Sequence, residues 1–317
     1  MGTTSPRSWL SRREVLQATA VLCGTSLAAE QPGSASPPRV VPCLFSKPLH
    51  NRKFAELPAV LGELGIDAVD LTCRPGGHVL PERVTEDLPK AHELLKAAGI
   101  RIAMITTAMT DADEAHAEAI VQTAAKLGIR YAKIGYFPYQ DLKKIQETLV
   151  DARAKLRDLA MLFRQHGLRA GFHNHSGMNV GAAMWDVWHL IRELPPEAIG
   201  SYFDLGHATA EGGASGWKIG MHLLMPRIIM LAVKDVRWEK DERPGWRLRW
   251  GPLGEGMVRW KDAFTQLKEA GFAGPVALHQ EYSPHGPAGS TADRQTLEFI
   301  RQDWRFLRER LGEAGLT

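Results

Sequence analysis

The chain has 317 residues, of which 44% are hydrophobic and 24% charged, and a formal net charge of +3. These are the values of an ordinary globular protein long enough to bury a sizeable core. They exclude a nucleic-acid groove, for which no lysine–arginine run is dense enough, and a spanning helix, because the longest apolar run falls far short of the ~20 residues needed.

The first element is a leader. Arg12-Arg13 is followed by a short run of apolar and small residues that ends at Ala28-Ala29, the pattern of a twin-arginine export signal over residues 1–29. Residues 30–39 then read as a Pro/Ser/Gly linker, and the expected location is the periplasm. Removing Arg7, Arg12, Arg13 and Glu14 with the leader lowers the net charge to about +1. Cys23 leaves with it, and Cys43 and Cys73 are expected as two reduced, half-buried thiols rather than a disulfide.

From residue 40 onward, short apolar runs alternate with longer amphipathic ones. Strands are expected at 40–46, 66–72, 100–106, 131–135, 168–174, 200–204, 227–234 and 275–281. Between them, helices are expected at 52–64, 87–98, 113–127, 140–166, 184–193, 216–224 and 260–270, with a closing helix at 291–311. A long loop separates the seventh strand from the helix at 260–270. Alternation of this kind gives parallel βαβ units, and eight in one chain give a (β/α)8 TIM barrel over residues 40–317. A doubly wound sheet is the rival, but its Gly-rich phosphate loop is missing.

In such a barrel the chemistry lies where the strands end. The fifth strand ends in His173-Asn174-His175, with two imidazoles on one side because they are two residues apart. The sixth ends in Asp204, followed by His207; the seventh in Lys234-Asp235; the eighth in His279-Gln280-Glu281. Arg74 and His78 lie in a Gly-rich loop after the second strand, where they can contact a substrate hydroxyl or carboxylate or form an ordinary solvated turn. Lys234 and Asp235 can equally be an ion pair closing the strand, and His279 a packed residue of the barrel interior. Trp238, Trp246 and Trp250 fall in the long loop, where aromatic faces can stack on sugar rings or pin the loop by burial.

The order Phe203-Asp204-Leu205-Gly206-His207, Val233-Lys234-Asp235 and Glu281 resembles the xylose-isomerase-like sugar phosphate isomerase/epimerase superfamily over roughly residues 40–311. The resemblance implies one divalent metal held at the ends of strands five to eight, and proton transfer between neighbouring carbons of a sugar. It makes Asp204 and Glu281 metal ligands, Glu281 also the main acid/base, and His207 a contact to substrate oxygens. Two positions depart: His173 stands where a glutamate is usual, and Ala232 where a histidine is usual. A metal would then be held by His173, Asp204 and Glu281, completed by His175, His279 or water. That mixed set suits Mn, Zn, Co or Fe better than Mg. His173, or Lys234 if His173 holds the metal, becomes the second acid/base candidate.

The expected function is metal-assisted isomerisation or epimerisation of a free sugar, keto-sugar or sugar acid. Catalysis is expected from Glu281, Lys234 and His207, with Arg74, His78, His175, His279 and Trp238 contacting substrate. The alternatives are cleavage of keto-sugar glycosides on the same barrel and a non-catalytic sugar-binding barrel. An apurinic endonuclease is disfavoured by the nearly neutral charge.

Overall fold

In the computed structural model, the described residues are 40–240, 242 and 245–317. The leader at 1–29, the linker at 30–39 and Cys23 lie outside them. Eight parallel strands alternate with helices, as expected. They are β1 (Val41–Phe45), β2 (Ala68–Thr72), β3 (Arg101–Thr106), β4 (Tyr131–Lys133), β5 (Arg169–His173), β6 (Ile199–Asp204), β7 (Ile228–Val233) and, after a hairpin, β10 (Pro275–Leu278). They close in the order β1-β10-β7-β6-β5-β4-β3-β2, and β1 pairs in parallel with both β10 and β2.

The alternating side chains of each strand explain the two cores. One set of positions packs outward under the helices, where Leu44, Val69, Leu71, Ile105 and Leu231 belong to the main apolar cluster. Full burial of one such leucine contributes roughly 1.5–3 kcal/mol. The other set fills the barrel with Cys43, Ala68, Met104, Tyr202, Met230, Ala232 and Ala277. Continued to the strand ends, this inward set arrives at Lys133, His173, Asp204 and His279. Cys43 and Cys73 are both fully buried free thiols, more enclosed than expected.

The helices are α1 (Leu57–Glu63), α2 (Val84–Ala97), α3 (Ala117–Lys126), α4 (Ile145–Gln165), α5 (Met184–Ile191), α6 (Leu205–Gly212), α7 (Gly216–Leu224), α8 (Trp260–Glu269) and α9 (Thr291–Glu313). The first is shorter than the expected 52–64. The chain there makes 3-10 turns at Lys47–Leu49 and Phe54–Glu56, and α1 begins with a proline in its first turn, the position where a missing N–H costs least. Among the described residues no helix is long and apolar enough to cross a membrane.

Two elements were not expected, and both bear on the site. Helix α6 starts directly from β6, capped by the Asp204 side chain, which accepts from the His207 amide at 2.7 Å. The long loop contains an antiparallel hairpin, β8 (Asp235–Lys240) with β9 (Trp246–Gly251). Asp235 anchors that loop. Its carboxylate accepts from the amides of Val236, Gly254, Gly256 and Val258 and from the Trp260 indole N–H. A Cβ on Gly256 would lie 2.1 Å from Asp235 Oδ1, so only glycine lets this loop close on the carboxylate. The Lys234-Asp235 dipeptide is therefore not an ion pair: Lys234 points into the barrel and Asp235 out of it.

Candidate active site at the strand ends

Lys234 is the centre of the site. Its ammonium donates to Glu281 Oε2 at 3.0 Å and to His207 Nε2 at 2.7 Å, and it lies 3.2 Å from Asp204 Oδ2. An ammonium has three hydrogens, and these three acceptors match them. The approach depends on Gly206, where a Cβ would meet Lys234 Cγ and the Lys234 carbonyl oxygen at 2.7 Å and the Trp250 ring at 3.1 Å. It also depends on Ala232, buried and paired in register with Asp204, whose small side chain leaves the interior open two residues before Lys234. The Trp250 ring lies 4.6 Å from the ammonium, within cation–π range.

Around this centre the other groups are fixed by hydrogen bonds. His173 Nε2 lies 3.0 Å from Asp204 Oδ2 and its Nδ1 2.9 Å from the Tyr136 hydroxyl. The carboxylate can only accept, so Nε2 carries the proton. Asn174 braces Asp204, with its amide donating to the Asp204 carbonyl and its oxygen accepting from the Asp204 N–H. His207 Nδ1 lies 2.7 Å from Ser176 Oγ, and its ring meets Trp250 edge-on at 4.9 Å. His279 bonds the Tyr202 hydroxyl at 2.8 Å and stacks on Phe45. Lys47, from the turn after β1, reaches Glu281 Oε1 at 3.0 Å.

Charge and burial set the protonation states. Burial by itself would raise Asp204 and Glu281. The Lys234 ammonium, joined by the His207 amide at Asp204 and by Lys47 at Glu281, outweighs that effect, so both carboxyls stay below their ordinary values. Burial would lower Lys234, but Asp204 and Glu281 together raise it, so it remains charged. His173, His207 and His279 are pushed well below the ordinary imidazole range, chiefly by burial, and are neutral at pH 7.

A cavity of about 110 Å³ opens beside these groups. His173, His175, His279 and Glu281 line it together with Lys47, Arg74, Lys133 and Tyr136. Lys133 is only 2% exposed, and its ammonium nitrogen lies 3.5 Å from the centroid of the Tyr136 ring. Burial, and then the nearby Arg74, lower its pKa well below that of a free lysine. Tyr136 also lines a larger open cleft of about 550 Å³ that runs past Pro138 and Asp141 to the start of α4.

Of the expected site residues, the structure brings together His173, His175, Asp204, His207, Lys234, His279, Glu281 and Arg74. It does not bring in His78 or Trp238. His78 turns away from the cavity towards the turn that follows β1, with Nδ1 against Thr72 Oγ1 and Ser46 Oγ and Nε2 against the Leu49 carbonyl. Trp238 is 41% exposed on the hairpin and directs its indole N–H to the Ala210 carbonyl; the tryptophan in the site is Trp250, its cross-strand diagonal neighbour. Sequence reasoning missed Tyr136, Lys47 and Lys133, and named Trp250 only as one of three loop tryptophans that can stack on a sugar. A signal existed for Lys133, a charged residue inside an otherwise apolar strand.

His173, Asp204 and His279 each offer one ligand atom within 4.8 Å of the others, a group that could bind a metal ion. Glu281 is not in that group. The arrangement implied by the resemblance needs an ion between Asp204 and Glu281, where the Lys234 ammonium already contacts both carboxylates. A divalent ion at about 4 Å from that ammonium meets repulsion on the order of 8 kcal/mol at an effective dielectric constant of about 20. The residues present do not fit a metal bridging Asp204 and Glu281.

No curated protein matches the chain in sequence. Solved structures share its fold. A xylose isomerase domain protein from Planctomyces limnophilus is 17% identical with a TM-score of 0.61, covering 82% of this chain and 93% of its own. D-allulose 3-epimerase from Methylomonas sp. is 14% identical with a TM-score of 0.65, covering 87% and 99%. A xylose isomerase-like TIM barrel protein from Mycobacterium smegmatis, in complex with magnesium, is 15% identical with a TM-score of 0.65, covering 88% and 98%. The family described as the xylose isomerase-like TIM barrel matches residues 58–309, which spans the strands and helices from α1 to α9, and the chain belongs to that family.

Proposed function

We propose that this protein is an isomerase or epimerase of a keto-sugar or sugar acid, working by proton transfer at a carbon next to a carbonyl. The observation that carries the reading is the Glu281 carboxylate on the cavity wall, ionised and 3.0 Å from the Lys234 ammonium. Glu281 takes the proton; the C–H electron pair forms a C=C bond as the carbonyl pair moves to oxygen. Lys234 carries the positive charge that the new oxyanion needs. Return of a proton to the opposite face of the same carbon gives an epimer. Its return to the neighbouring carbon, while the first carbon's hydroxyl passes its proton to the oxyanion and becomes the new carbonyl, gives an isomer.

His175 is the second acid/base. It lines the same cavity, and its Nδ1–H donates to the Ser176 carbonyl at 2.8 Å, leaving Nε2 with the lone pair. Lys47 and Arg74 face only Glu281 among the cavity-lining carboxylates, and this surplus of positive charge favours a sugar bearing a carboxylate. The sugar epimerase among the structural relatives supports the reaction class. The leader read at residues 1–29 makes the periplasm the proposed place of action.

The test is incubation in D2O with a panel of keto-sugars and sugar acids. Deuterium at the carbon beside the carbonyl, lost in Glu281→Gln, is expected; no exchange with any of them overturns the reading. A second reading, cleavage of keto-sugar glycosides, is favoured by one observation. Tyr136 lies on both the inner cavity and the 550 Å³ outer cleft, which gives room for a leaving group. Release of an aglycone would select it.

A further inference from the structure

The resemblance reserves a place between Asp204 and Glu281 for a divalent ion. We propose that the Lys234 ammonium permanently occupies that place and that the site works without a metal there. The inference rests on the proton-transfer reading above and names the group that supplies its positive charge.

Three observations carry it. The first is geometry: Nζ has Glu281 Oε2, His207 Nε2 and Asp204 Oδ2 within 2.7–3.2 Å, so that it is surrounded by lone pairs as a small cation would be. The second is charge. Glu281 also holds the Lys47 ammonium at 3.0 Å, so two carboxylates face two ammonium groups, the same total charge that one divalent ion would bring. The third is that this chain makes room for the lysine. Ala232 stands where a histidine ligand is usual, and Gly206 has no Cβ to obstruct the lysine stem. Trp250 covers the ammonium from the hairpin side.

His207 changes its role accordingly. With Nε2 accepting from Lys234, it is a positioning residue for the ammonium and touches the substrate only through it. A substrate oxygen reaches Lys234 by replacing one of the three acceptors. Glu281 is the one that can yield, because Lys47 still holds it. The exchange places the oxygen on the ammonium and leaves the carboxylate beside the carbon to be deprotonated.

The test needs no substrate. Metal content of the purified full chain is measured by elemental analysis, and calorimetric titration and thermal melts are run with millimolar Mn²⁺, Zn²⁺, Co²⁺ and Mg²⁺, with and without chelator. The wild-type protein is expected to carry far less than one ion per chain and to show no change in Tm. Lys234→Ala, which empties the space between the carboxylates, is expected to take up one ion and to gain several degrees in Tm from it. One tightly held ion per wild-type chain that Glu281→Gln releases, or a folded Lys234→Ala protein that takes up none, would overturn the proposal. An ion that Glu281→Gln leaves in place sits on His173, Asp204 and His279, away from Glu281, and leaves Lys234 between the carboxylates. If the variant does not fold, the wild-type titration still decides, since it requires no substitution. Because these readouts involve no turnover, their failure leaves the D2O result standing, and failure of the D2O exchange leaves the metal result standing.

Discussion

Lys234 Nζ lies 2.7 Å from His207 Nε2, and this one contact determines the tautomer of a buried imidazole. The ammonium cannot accept, so Nε2 must, and the ring proton sits on Nδ1 where it donates to Ser176 Oγ. A chain of donors thus runs from Lys234's neighbourhood to the loop after β5. His207→Phe keeps the ring volume but removes an acceptor from a buried charge. The expected loss is about 1.5–3 kcal/mol, the range for a hydrogen bond to a charged group. In a domain of this size that is a fall in Tm of roughly 3–10 °C. His207→Gln, which keeps an acceptor, should recover most of it in a thermal melt.

Gly206 is the narrowest point beside the lysine stem. Gly206→Ala forces a methyl group against Lys234 Cγ, the Lys234 carbonyl oxygen and the Trp250 ring. Overpacking of this kind costs about 1–3 kcal/mol. The protein should still fold, as judged by circular dichroism, while solvent deuterium exchange into substrate drops by at least about tenfold because the ammonium is displaced. An unchanged exchange rate would show that the position of Lys234 does not matter.

The stability of the fold should depend on pH in a stated direction. His78 is lowered to about 4, chiefly by burial, and in the unfolded chain it returns to about 6.5. The unfolded state therefore binds more protons between these values, and the stabilising effect of a neutral His78 is full above pH 6.5 and lost as pH falls towards 4. His173, His207 and His279 act in the same sense. Asp70 opposes them: burial raises it to about 7, so its contribution is full below the ordinary carboxyl pKa and lost as pH rises through 7. Urea melts at a series of pH values should show His78→Asn with a shallower slope between pH 4 and 6.5, by at most about 1.4 kcal/mol per pH unit. An identical slope in the variant would mean that His78 is not held neutral.

Lys133 separates stability from activity. Its amine is buried beside Arg74, and among the described residues no carboxylate lies within ion-pair distance. A lysine with a lowered folded pKa costs stability at neutral pH, a cost that disappears as pH rises towards 10.5. Lys133→Met should raise Tm by a few degrees, on the order of 1 kcal/mol, and flatten the alkaline side of the stability profile. A carboxylate bound in the cavity favours the charged form of Lys133, so the same change should weaken binding of carboxylated sugars more than of neutral ones, measured by competition. A variant that is both less stable and unaltered in binding would refute the assignment.

The barrel was legible because each of its strands is a short apolar run with a helix behind it, a periodicity that survives without any tertiary information. The strand-end residues were legible for the same reason: Asp204, His173, Lys234 and Glu281 interrupt apolar runs at their C-terminal ends. What could not be read was direction after the strand stops. His78 and Arg74 share one loop, yet only Arg74 lines the cavity, because His78 finds three hydrogen-bond partners at the end of β2 and in the turn after β1. Likewise Trp238 and Trp250 occupy one sequence stretch, and only the register of the hairpin, Trp238 opposite Leu248 and Trp250 opposite Val236, decides which indole meets Lys234. The Trp-Arg-Leu-Arg-Trp alternation was a strand signal hidden by its charge.

The three filled acceptor positions around Lys234 have a consequence for affinity. A substrate oxygen entering this site does not find an unsatisfied cation; it exchanges with a carboxylate already bonded there. Such an exchange yields only the difference between two similar interactions, so the contact closest to the chemistry adds little to ground-state binding. Discrimination among sugars then falls to the groups at the rim, and weak binding of the right substrate is compatible with rapid turnover.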